Sequence, residues 1–79
     1  MSANIPDFNQ GVKSYDSSLL AEAVAAFNLA LGYKLKLPLQ GPQVQTIAIV
    51  ADGRGYSDIG QRLRFALKIA ELEREEVAA

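Results

Sequence analysis

The chain has 79 residues, eight Lys and Arg against nine Asp and Glu, a formal net charge of −1, and neither cysteine nor histidine. That size leaves room for one domain and no separate catalytic domain, and the charge argues against a protein held to nucleic acid by bulk electrostatics. Without Cys or His there is no disulfide staple, no Cys/His zinc site and no histidine general base.

Surface scaling gives such a chain about 4,650 Å² of folded surface against about 12,300 Å² unfolded, a thin margin for a core. With 49% hydrophobic residues, the chain has more apolar surface than a small sphere can hide, so self-association or a protein partner is the first expectation. No basic segment followed by an apolar run opens the sequence and no run is long enough to span a bilayer, which leads to the expectation of a cytoplasmic or intracellular-assembly protein with no signal peptide.

Residues 1–15 mix Pro6, Gly11 and polar groups with isolated apolar side chains, and read as an irregular N-terminal arm docked through Ile5 and Phe8. Residues 16–79 form the single domain. A helix should start at Asp16, Ser17 or Ser18, whose side chains accept from free backbone N–H groups, and end at Gly32, which tolerates the left-handed conformation. Leu20, Val24, Phe27 and Leu31 give one apolar stripe at helical spacing, and Leu19, Ala23, Ala26 and Ala30 give a second beside it. A helix apolar on most of its circumference needs cover on most sides.

In "YKLKLPLQ", Tyr33, Leu35, Leu37 and Leu39 alternate with Lys34, Lys36, Pro38 and Gln40, the period of a half-buried edge strand. "QGPQ" reads as a turn, and "VQTIAIVA" as a second strand buried on both faces. Pairing 33–39 with 44–51 would make a hairpin. The expected fold is therefore a small α/β (α+β) domain in the order α-β-β-α, its β-hairpin packed against two helices and completed by oligomerisation, because a two-stranded sheet is marginal alone.

The second helix should run from Ser57 or Asp58 to about Val77. Ile59, Leu63, Ala66, Leu67 and Ala70 make one stripe, and Phe65, Ile69 and Leu72 make another with no evident partner inside so small a fold. The last two turns, "ELEREE", place carboxylates against the helix dipole and should overhang the sheet.

Between the second strand and this helix lies Asp52-Gly53-Arg54-Gly55. Glycine N–H groups, the Arg54 charge and the dipole of a helix capped near Ser57 could together hold a phosphate. The spacing fits neither a dinucleotide fingerprint nor a Walker loop, and Asp52 opposes an anion, so a tight turn with Arg54 in solvent is the simpler reading. "IAIVADGRG" resembles the aspartate-glycine phosphate loop of cis-prenyltransferases, which also follows a strand; across so few residues the likeness implies no activity. "SDIGQRLRFALKIAE" is similar to the first helix of a helix-turn-helix, but the turn would fall at Arg64-Phe65, where nothing breaks the helix.

Lys34, Lys36, Arg62, Arg64 and Lys68 read as solvated charges before they read as a nucleic-acid surface. Asp52 and Asp58 alone are a weak cation signal, so no metal or cofactor is expected, and no nucleophile and base stand in a recognisable arrangement. The expected function is non-enzymatic: a small oligomeric adaptor, inhibitor or assembly component, a homodimer or higher homo-oligomer that could also bind a larger protein. Its interface would be Leu19, Ala23, Ala26, Ala30, Phe65, Ile69 and Leu72. The alternative is a regulatory module binding a phosphate-bearing small molecule at Gly53, Arg54, Gly55 and Ser57, with a nucleic-acid binder as the weaker third class.

Overall fold

A computed structural model describes residues 13–78. The fold is mixed α+β, in the order β1 (Ser14–Tyr15), α1 (Ser18–Leu31), β2 (Leu39–Gln40), α2 (Gly41–Gly53) and α3 (Ser57–Ala78). The expected order α-β-β-α is thus corrected: the second strand is a helix, and there is no 33–39/44–51 hairpin. The expected docking of Ile5 and Phe8 lies outside the described residues.

Helix α1 forms where its caps and stripe place it. The Ser17 hydroxyl accepts from the Leu20 N–H at 3.2 Å, and Gly32, at φ +80°, ends the helix while donating its N–H to the Asn28 carbonyl at 2.8 Å. Leu20, Val24 and Phe27 are buried together with Ala23.

Residues 33–39 then run back along α1. The Asn28 side chain donates to the Leu35 carbonyl and accepts from the Leu35 N–H, both at 3.0 Å. That amide does for Leu35 what a neighbouring strand would do. The inward alternation holds from Leu35 onward, with Leu35 and Leu37 half-buried, Leu39 buried, and Lys34, Lys36 and Pro38 exposed, whereas Tyr33, expected inward, is exposed with its ring 5.1 Å from that of Phe27. Its ladder partner is Ser14–Tyr15, in antiparallel register Ser14 to Gln40 and Tyr15 to Leu39. The last residues of the expected irregular arm therefore belong to the fold.

Helix α2 replaces the expected second strand for three physical reasons. Pro42 stands in its first turn, where the missing N–H is no loss, and the Gln43 side chain reaches back to accept from the Gln40 N–H at 2.8 Å. The Thr46 hydroxyl donates to the Pro42 carbonyl at 2.9 Å, one helical turn back. Val44, Ala48 and Ala51 recur at i, i+4 and i+7 and are all buried. Packing on one face overrides the β propensity of Val44, Thr46, Ile47, Ile49 and Val50.

Helix α3 is the hub. It runs antiparallel to α2: a Cβ built on Gly41, at the start of α2, would lie 3.9 Å from Glu71 Oε2, while Asp52, near the end of α2, lies against Gly60 and pairs with Arg64. It also runs antiparallel to α1, since Ser17 at the start of α1 shares a groove with Ala70, Glu73 and Arg74. Segment 35–39 sits against Ala21, Val24 and Asn28 of α1 and against Thr46 and Ile47 of α2, the sides turned away from α3. The core thus lies between α3 on one face and segment 33–39 on the other, and every residue buried in it is apolar or glycine. About 33 Å of α3 against about 20 Å of α2 leaves the C-terminal turns of α3 beyond the start of α2, so the overhang expected past a sheet is an overhang past a helix.

Candidate interaction surface

The glycine loop joins two helices, not a strand and a helix. Gly55, at φ +90°, follows the end of α2. Its N–H donates to the Asp52 carbonyl at 3.1 Å and the Tyr56 N–H donates to the Ala51 carbonyl at 2.8 Å, the paired bonds of a Schellman termination. The Arg54 N–H is shared between the Val50 and Ala51 carbonyls, both at 3.1 Å.

The backbone donors of residues 54–56 therefore already close the end of α2, and a phosphate cradle built from those three would have to break that closure. Gly53 is the last residue of α2, Arg54 is exposed in the turn, and Ser57 is the first residue of α3. The likeness of residues 47–55 to a phosphate loop after a strand does not survive their helical conformation.

Asp52 is engaged elsewhere. Its Oδ2 accepts from both guanidinium nitrogens of Arg64, one of them at 3.1 Å, the one ion pair among the described residues. Both side chains remain more than a third exposed, 44% for Arg64 and 36% for Asp52, so the pair fixes the register of α2 on α3 more than it stabilises the fold, contributing about 0–1 kcal/mol. Among the described residues no group of three potential metal ligands gathers.

The basic side chains do not converge. Lys34 and Lys36 are exposed on segment 33–39, Lys36 beside Ala21 and Ala25 of α1, while Arg64 and Lys68 line the groove between α2 and α3 with Gln45, Ile49, Leu67 and Glu71. Nor does the α2–α3 pair dock as a helix-turn-helix. Its helices lie side by side along the length of α2, whereas a recognition helix must cross its partner at a wide angle to enter a groove.

The apolar residues singled out from the sequence separate into two sets. Ala23 is buried in the core; Ala26 and Ala30 are half-buried on the side of α1 away from segment 33–37; Leu19, on that same side near the end of α3, is 38% exposed. On α3 the buried stripe packs against the rest of the fold. The second stripe points away from it, with Phe65 60% exposed, Leu72 46% exposed and Ile69 half-buried.

At about 100° per residue, Phe65, Ile69 and Leu72 fall within about 60° of one another. Arg62 and Glu73 flank them on one side and Lys68 on the other, all exposed. Three large apolar side chains on successive turns of a well-packed helix form a patch, not scattered exposure.

Two apolar features had no sequence signal of their own. Ile49 projects into the α2–α3 groove and Leu29 lies at 89% exposure on the outer face of α1. Both fell inside runs whose hydrophobicity masked their direction. Among the described residues no helix is long and apolar enough to cross a membrane. The chain matches no family model, no curated protein and no solved structure.

Proposed function

We propose that the chain is a small non-enzymatic association protein, an oligomeric adaptor, inhibitor or assembly component, working through the outer face of α3. The observation that carries this reading is the exposure of Phe65 and Leu72 on a helix whose opposite face is fully occupied by α1 and α2.

Full burial of such a side chain contributes about 1.5–3 kcal/mol, so covering the exposed parts of Phe65 and Leu72 in each of two copies contributes about 3–6 kcal/mol. Association costs about 4–15 kcal/mol in lost freedom. The two anchors alone do not hold a complex; Ile69, Leu19 and the charged rim must contribute, and the association of two copies should be weak.

Light scattering behind a sizing column, on the wild type and on Phe65→Lys/Leu72→Lys, tests this. Both replacements are at exposed positions and leave the core intact. The expected result is a wild-type mass that rises above one chain with concentration and a double variant that stays at one chain with an unchanged circular dichroism spectrum. A wild type that remains a single chain at about 1 mM would exclude the self-association reading.

A further inference from the structure

We infer that the occupant of the outer face of α3 is a second copy of this chain, lying antiparallel about a two-fold axis near Ile69, with Phe65 of each copy on Leu72 of the other. This rests on the association reading above and specifies its partner and geometry.

Arg62 and Glu73 lie on the same flank of the Phe65/Ile69/Leu72 stripe, within about 20° of each other around the helix, one before it and one after it. Among the described residues neither makes an ion pair within the chain, the one pair being Arg64 with Asp52. In an antiparallel helix pair, residues of one flank meet residues of the same flank on the copy, running in the opposite direction. The register that sets Phe65 on Leu72 and Ile69 beside its own copy brings Arg62 within one helical turn of Glu73 on the copy, twice over by symmetry. A parallel pair in register would face opposite flanks to each other and would lay the acidic end of α3, with Glu71 and Glu73, beside its own copy.

The antiparallel orientation thus sets the basic start of the stripe beside its acidic end. Lys68, on the other flank, comes near its own copy close to the axis, but it is exposed and its long stem carries the ammonium outward into water. The geometry also leaves Leu19 at the rim, where the start of α1 borders the end of α3.

Because the chain has no cysteine, single-cysteine variants report orientation without interference. Under mild oxidation, Ile69→Cys should form a covalent dimer. Phe65→Cys and Leu72→Cys should each remain single chains when alone and should cross-link to each other when mixed, with Leu29→Cys, on α1, as the control for random collision.

Charge reversal gives the second reading. Arg62→Glu and Glu73→Arg should each raise the dissociation constant about tenfold, since each replaces two attractive contacts by repulsive ones. The combined variant should return to within about twofold of the wild type.

Self-linking of Phe65→Cys and of Leu72→Cys, or a combined charge variant no tighter than the single ones, would overturn the antiparallel assignment while leaving association intact. Failure of Ile69→Cys to link, in a wild type that light scattering shows to be larger than one chain, would place the contact on another face. Failure to link in a wild type that is a single chain would overturn both readings.

Discussion

Replacing Gly60 by alanine should destabilise the protein, although an alanine in place of glycine in an open helix stabilises it. Gly60 lies in the first turn of α3 against α2. A Cβ built there sits 3.0 Å from the Ala48 carbonyl oxygen and 3.0 Å from the Asp52 Cγ, and closer still to Asp52 Oδ1. The Asp52 side chain can swing aside only by leaving Arg64. The Ala48 carbonyl is backbone within α2 and cannot move unless the two helices separate.

Overpacking of this kind costs about 1–3 kcal/mol. The gain in helix propensity is at most about 1 kcal/mol and is reduced near a helix start, and the lost Asp52–Arg64 pair adds about 0–1 kcal/mol to the cost. The net expectation is a loss of about 1–3 kcal/mol, read as a lower urea midpoint with an unchanged slope by circular dichroism. A Gly60→Ala protein more stable than the wild type would refute the close approach of α2 and α3 at this point.

The other glycines of the loop should separate by mechanism. Gly53→Ala, with nothing within 4 Å of the added carbon, should stabilise by about 0.5–1 kcal/mol, whereas Gly55→Ala, at φ +90°, should destabilise by about 1–2 kcal/mol; equal effects in the same urea titration would contradict the Schellman turn. Asn28→Ala removes both partners of the Leu35 backbone and should cost about 1–3 kcal/mol, with the Leu35 amide losing its protection from hydrogen exchange; an unchanged Leu35 exchange rate would show that Asn28 does not pin the segment. Arg64→Ala should cost less than about 1 kcal/mol at low salt and nothing at high salt, which a pair of melts at the two ionic strengths would check.

The parts legible in the sequence were those in which local chemistry and tertiary packing agree. Ser17, the 20/24/27 stripe and Gly32 state the start, face and end of α1 independently, and all three hold. The alternation of residues 33–39 is equally legible, because an extended segment on a core face has period 2 whether or not a ladder forms. Its neighbour is not legible: two residues of β1, far upstream, and the side-chain amide of Asn28 share the task that a hairpin would have performed.

Residues 44–51 misled for a definable reason. Val44, Ile47, Ile49 and Val50 carry β propensity, and Gly41-Pro42 serves equally as a turn or as the opening of a helix. The helical evidence was there in the 44/48/51 spacing and in Gln43 three residues after Gln40, and packing against α3 decided between the two. Once α2 is a helix, the loop changes meaning, since Gly55 terminates one helix before the next and its neighbours' N–H groups are committed. Gly60 has no signature of its own in the sequence, because a packing glycine differs from any other only through the helix it touches, here at Ala48.

The two stripes of α3 were legible, including the separation of Phe65, Ile69 and Leu72 from the buried one, because a 22-residue helix repeats its pattern often enough to resolve two faces. Which face a partner covers is a property of two molecules, and it is most directly measured by a dilution series of backbone amide nuclear magnetic resonance spectra. The outer-face account predicts that the amides of Arg62, Phe65, Ile69, Leu72 and Glu73 shift together with concentration while those of α2 and segment 33–39 stay fixed. Concentration-dependent shifts confined to α2 or to segment 33–39, or none at all, would contradict it.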